Sequence, residues 1–411
     1  MRAKALGVFL AGILSCGAAS GQAKADEPCA GANKSLAEHN FESARVAYES
    51  CLKDAPPTVE RLSNLGMSYA GLNQFDNAAR TYRQALALNP NDPTLHLNLG
   101  LAMVKSGHIR EAAGEFSRTL LADADNLKAL ELLAYCHFQM NDVELAAAEA
   151  KRVHLAQPED DSASLLLGTC LLRLGQYRPA IPLLYFSMLK ANVPQTHVLL
   201  GEAFLGVKAY NSALREFLAA SAGPAAHGGS SPELSGLTDD LGTAYAGLGQ
   251  PDNAVAEFEK QLAANPDDFV ANYYMGRIKR IGNDPDAAKQ FLAKAEQLRT
   301  GDPSVGYEYA VFAMQDKDYA KAEGLLSDIL NRVPNYTDAH VLLAEVYYKL
   351  HRPDDAKRER AIIEALKKQE QEEESAGGKP PESATPVSPG LRAPGSPAAA
   401  QPPQAGKPAN P

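Results

Sequence analysis

The sequence predicts an all-α repeat protein, a solenoid of about ten helix-turn-helix units followed by a tail that forms no packed structure. Three observations predict it. A small residue recurs about every 34 positions along the chain, and an alanine recurs with the same period in a second series. Prolines punctuate the same interval at Pro56, Pro90, Pro158, Pro266 and Pro334.

The first series starts from Gly66 and runs through Gly100, Ala134, Gly168, Gly201, Gly242, Gly276, Ala310 and Ala344, with Ala32 one step back. The second is Ala44, Ala78, Ala112, Ala146, Ala180, Ala213, Ala254, Ala288, Ala322 and Ala356, alanine at every step. Four residues after each alanine comes a third series, mostly large: Tyr48, Tyr82, Phe116, Ala150, Leu184, Phe217, Phe258, Leu292, Leu326 and Arg360. Positions four apart share a helical face, so alanine and large residue point the same way. The expectation is that the small residues of the two helices face each other, while the large one fills the space beside the next unit. Enlarging Ala146 to Leu in such a slot costs roughly 1–3 kcal/mol through overpacking.

These features resemble the tetratricopeptide repeat, whose pattern places L-G, Y, A, F and P at such intervals. The resemblance covers residues 26–366 and implies a right-handed superhelical solenoid with no catalytic centre and no cofactor. It divides the chain into a first array at 26–220, a connecting loop at 221–234, and a second array at 235–373 that ends in a capping helix. The loop follows from one broken spacing: Ala213 and Ala254 stand 41 apart. Its residues read as an insertion or hinge, with Ser231-Pro232 opening the next helix.

Local signals fix the ends of the helices. Asp92-Pro93 and Asp302-Pro303 each set an N-cap ahead of a proline at the first helical position. Gly249 in "AGLGQPD" and Gly175 in "RLGQYR" mark turns between the helices of a unit. The charged run "AKRERAIIEALKKQEQEEE" suits a terminal helix with a solvated outer face.

Outside the repeats, residues 1–25 read as a signal peptide. Arg2 and Lys4 precede an apolar run from Ala5 to Leu14, and Ala23-Lys24-Ala25 closes it as an A-x-A site. An alternative uses Ile13-Leu14-Ser15-Cys16 as a lipoprotein box, with a lipid anchor on Cys16, although Leu14 fits that box poorly. No later run is long and apolar enough to span a membrane. An exported, periplasmic or envelope-associated protein is expected. The Pro/Ala-rich tail, 374–411, has only Val387 and Leu391 as larger apolar residues and reads as disordered. It can act as a plain tail or as a tether to a partner or the wall. Cys29 and Cys51 fall on the two helices of the first unit and form a candidate disulfide in an oxidising compartment. Cys136 and Cys170 occupy a slot held elsewhere by Ala102, Ala203 and Ala244, so they read as packing residues.

No catalytic or metal-binding constellation stands out, and the net charge of -10 argues against nucleic acid as a partner. The expected partner is therefore a protein, of unspecified identity. In the resembled family the first helices line an inner groove. Carried onto this chain by phase, that groove is Met67, then Leu97, Leu101 and Val104, then Glu131, Tyr135 and Phe138. Leu165, Thr169 and Leu172 follow, with Val198, Glu202 and Leu205. Further on come Tyr273, Arg277 and Arg280, then Tyr307 and Met314, then Tyr348 and Lys349. Chaperone-binding members of the family grip a C-terminal carboxylate with Lys and Asn. Those places here hold Ser63 and Met67, Leu97 and Leu101, and Glu131 and Tyr135, so that clamp is not expected. Part of this apolar set is expected to pack against neighbouring first helices instead, and for the rest helix-in-groove or extended-peptide capture is the expected mode.

Overall fold

The computed structural model describes residues 29–225 and 236–376. Every regular element among them is a helix, and the helices pair into ten units. Unit 1 joins Ala30–Ala37 to Phe41–Asp54, unit 2 Val59–Gly71 to Phe75–Leu88, and unit 3 Pro93–Lys105 to Ile109–Ala122. Unit 4 joins Leu127–Gln139 to Val143–Ala156, and unit 5 Asp161–Arg173 to Tyr177–Lys190. Unit 6 is Pro194–Gly206 with Tyr210–Ala225, and unit 7 Leu237–Gly247 with Pro251–Ala264. Units 8 to 10 are Phe269–Ile281 with Pro285–Leu298, Pro303–Gln315 with Tyr319–Arg332, and Thr337–Lys349 with Pro353–Ala376. The candidate leader, Cys16 and the tail beyond Ala376 lie outside the described residues, as does Ser231-Pro232.

Caps start the first helices. Asp92 accepts from the amides of Thr94 and Leu95 at 2.9 and 3.1 Å, and Asp302 from that of Ser304 at 2.9 Å. Every unit turns between its helices through a residue in the left-handed region, including Gly175 (φ 72°) and Gly249 (φ 68°). Cys29 and Cys51 are bonded, with Cα atoms 5.8 Å apart, and tie the short first helix of unit 1 to its partner.

The periodic slots pack differently from the sequence expectation. The glycine on a first helix does not face the alanine of the second. It faces the aromatic four residues beyond it: a Cβ on Gly66 would sit 2.6 Å from the Tyr82 ring, and one on Gly201 2.4 Å from Phe217. Gly100 with Phe116 and Gly242 with Phe258 repeat the arrangement. A bare backbone lets the flat ring edge in, so the large residue fills its own unit rather than the gap beside the next. Where the large series shrinks to Ala150, the first helix carries Ala134 instead, and both are buried.

A second set of contacts joins units. Phe41 lies against Gly71, Tyr177 against Gly206 and Tyr210 against Gly247, each ring at the start of a second helix meeting the last glycine of the next first helix. The third of these spans the insertion. The second helix of unit 6 also runs on to Ala225, so Ser221–Ala225 are helical rather than loop. One core cluster runs from Leu62 to Ala244, with members on both sides of the insertion. The thinnest boundary is between units 8 and 9. There Tyr309 stands where the other first helices from unit 2 onward hold Leu65, Leu99, Leu133, Leu167, Leu200, Leu241, Met275 and Leu343. The larger ring is half-buried and packs against the small cluster of Ala288, Leu292 and Phe312 at this boundary.

First helices of consecutive units touch one another more extensively than second helices do. The stack therefore curves with the first helices on its inner side.

The concave face of units 8 to 10

In the first helices of units 2 to 6 and 8 to 10 the fifth, ninth and twelfth positions point along this inner side, and the groove residues expected from sequence occupy them, except Lys349, which stands one place further on. The structure separates these residues into two groups. Val104, Tyr135, Phe138, Leu165 and Val198 are buried, so in units 3 to 6 they are core rather than an open floor. Arg173 of the next unit lies over Phe138, its guanidinium carbon 4.1 Å from the ring centroid. Met67, Leu97, Leu101, Leu172 and Leu205 are half-buried and pack against the same core. The reason is distance: first helices on the inside of a curved stack close on one another, and apolar side chains there satisfy each other.

Units 8 to 10 are more open. Tyr273 and Tyr307 are half-buried, Arg277 is exposed, and Tyr348 is 65% exposed. Tyr273 stacks against Phe269 with ring centroids 6.3 Å apart and meets Tyr274 edge-on at 5.1 Å. Tyr307 lies 5.8 Å from Tyr336, which caps the first helix of unit 10. Burial pushes the hydroxyls of Tyr273, Tyr307 and Tyr336 up from the ordinary phenol value, and the Glu308 carboxylate adds to the rise. They stay neutral donors across the biological pH range.

The positive charge of Arg277 and Arg280 is largely spent within the array. Arg280 Nε donates to Glu308 Oε2 at 2.5 Å across the boundary between units 8 and 9, and Arg277 approaches the same carboxylate at 3.8 Å. Glu308, 1% exposed, was not among the groove residues expected from sequence. Nor were Val341 and Glu345, although they hold in unit 10 the phase of Leu97 and Leu101 in unit 3, a signal present in the spacing. Val341 is 49% exposed, and Asp338 and Glu345 stand in solvent beside it. No eleventh unit covers them among the described residues. The result is a strip of tyrosine and valine edged with carboxylates.

A separate apolar feature lies on the second helices. Leu121, Leu155 and Leu189 repeat at one-unit intervals and are exposed. Cys136 and Cys170 are buried thiols pushed up to about 12 by desolvation, too weakly acidic to act as nucleophiles. Among the described residues no group of three or more His, Cys, Asp or Glu could hold a metal ion, and no helix is long and apolar enough to cross a membrane.

Comparison with known proteins agrees with this architecture. Patterns described as "TPR repeat" and "Tetratricopeptide repeat" match residues 66–107, 97–155, 240–303, 281–338 and 313–377. The chain is 33% identical over 110 residues to the Arabidopsis thaliana "Protein CTR9 homolog", covering 26% of this chain and 10% of that protein. It is 35% identical over 79 residues to "Photosystem I assembly protein Ycf3" of Synechococcus sp. (strain CC9605), covering 18% of this chain and 46% of the other. The chain thus spans less than half the length of these relatives. A solved tetratricopeptide repeat protein from Parabacteroides merdae is 18% identical with a TM-score of 0.42, covering 60% of this chain and 95% of that one. The period, the paired helices and the matched patterns together make this chain a tetratricopeptide repeat protein.

Proposed function

We propose that the protein is an exported, non-enzymatic interaction scaffold of a bacterial envelope that takes a partner peptide or helix on the concave face of units 8 to 10. The family supports a protein-interaction scaffold. The observation that carries the finer reading is the contrast in burial: every inner position of units 3 to 6 is buried or half-buried, whereas Arg277, Val341 and Tyr348 stand exposed in units 8 to 10. Exposed apolar and aromatic groups along one strip mark an interaction surface. Export is supported by the basic-apolar-A-x-A leader and by the Cys29–Cys51 bond, a linkage that persists in oxidising compartments.

A photo-reactive residue placed at Tyr348 or at Tyr135 tests the surface in cells. An adduct from position 348, absent from position 135 and lost on Val341→Glu, is the expected result. An adduct from position 135 alone would move the site to the early units and sink this reading. Mass measurement of the mature chain tests export: a start at Asp26 is expected, whereas an acylated start at Cys16 selects the lipid-anchored alternative.

A further inference from the structure

Residues 377–411 follow the last helix and contain "PVSPGLRAP", Pro386 to Pro394. We propose that this segment of the chain docks on the concave face of units 8 to 10 as a polyproline strand and competes there with the partner. The proposal deepens the reading above by naming an occupant for the same face.

Spacing is the first argument. Polyproline repeats every three residues and rises about 3.1 Å per residue, so one turn advances roughly 9 Å. Packed helices lie about 8–10 Å apart. Where first helices touch, as those of units 9 and 10 do, successive turns of such a strand meet successive helices, and Pro386, Pro389 and Arg392 form one edge at that interval.

Chemistry is the second. Polyproline segments dock in aromatic-lined grooves because they are ordered before they bind. Val341 and Tyr348, both exposed, supply such a floor with the half-buried Tyr273 and Tyr307 on the same face. Val387 and Leu391, the larger apolar residues of the tail, both fall within the segment.

Charge agrees. Asp338 and Glu345 are exposed and have no ion-pair partner among the described residues. The tail carries Lys379, Arg392 and Lys407 against a single acid, Glu382. Arg392 is the residue placed to meet the acidic edge. The connection is long enough: the ten residues from Ala376 to Pro386 reach roughly 33 Å extended, about twice the roughly 16 Å by which the 24-residue last helix outruns the 13-residue first helix of unit 10.

The test uses the purified full chain with a photo-reactive residue at Leu391. The expected product is a crosslink within one molecule to Pro303–Gln315 or Thr337–Lys349. Glu345→Arg or Arg392→Glu alone lowers its yield about three- to fivefold, the range of an exposed ion pair, and the two together restore it. Crosslinks spread along the array, or a yield indifferent to both charge changes, would overturn the proposal. So would adducts between molecules that rise with concentration, since these place the segment on a second copy. Deleting 377–411 separates this proposal from the partner reading. It is expected to raise the partner adduct from position 348. An adduct unchanged by deletion leaves the partner reading intact and defeats competition by the tail. A crosslink within the molecule with no partner adduct does the reverse.

Discussion

Tyr210 and Gly247 meet across the insertion of residues 226–235: a Cβ on Gly247 would lie 2.4 Å from the Tyr210 ring. Phe41 on Gly71 and Tyr177 on Gly206 make the same contact where no insertion intervenes. The extra chain therefore leaves the stacking of units 6 and 7 as it is elsewhere. Gly247→Ala is expected to cost about 1–3 kcal/mol, because the ring has to shift within a packed boundary. Gly114 is the control: it lies in a helix, and an added Cβ meets nothing within 4 Å. Gly114→Ala is expected to stabilise by up to about 1 kcal/mol through helix propensity. Urea unfolding of the two variants reads both signs.

The Arg280–Glu308 pair spans the thinnest boundary of the array. Glu308 is almost wholly buried, so removing Arg280 leaves its carboxylate only the longer contact with Arg277 at 3.8 Å. Arg280→Ala is expected to cost about 3–5 kcal/mol, whereas replacing both residues with apolar ones of similar size comes close to neutral. Equal losses for the single and double variants would show that packing, not charge, holds units 8 and 9 together.

Unit 1 has a short first helix and depends on its disulfide. The closed loop spans a sequence separation of 22, and a bond of that kind is worth about 3 kcal/mol through the unfolded chain. Each repeat touches only its neighbours, so the loss on reduction is expected to stay local. Hydrogen exchange with and without reductant should show faster exchange in Ala30–Asp54 and little change beyond unit 3.

Glu131 predicts a dependence on pH. It is buried in unit 4, and desolvation raises its carboxyl above the usual value despite Lys128, 3.3 Å away. The folded chain holds this proton to higher pH than the unfolded chain does. The stabilising contribution is therefore complete below the unfolded value and is lost as pH rises through the folded one. Glu131→Gln, neutral at every pH, should then gain more stability relative to the parent at pH 7 than at pH 4. Denaturant midpoints at the two pH values measure the difference, and a gain that does not grow with pH would reject it.

Much of this was legible in the sequence because it is local. Asp92-Pro93 and Asp302-Pro303 start helices through backbone geometry and a cap, and Gly175 and Gly249 turn the chain through a left-handed conformation that glycine adopts freely. The match between glycine and ring could also have been read. Gly66, Gly100, Gly201 and Gly242 each precede Tyr82, Phe116, Phe217 or Phe258 by 16 residues, and Ala134 goes with Ala150.

The sequence by itself determined the helices, the unit length, the buried faces and the family, because those depend on periodicity and on contacts within a unit. Only the tertiary structure decided which inner positions are open. Leu165 and Val198 carry the same phase as Val341, yet the first two are sealed and the last is exposed. Phase fixes the direction of a side chain on its own helix. Whether a neighbouring helix closes over it depends on the side chains of the adjoining unit, as Arg173 over Phe138 shows in units 4 and 5.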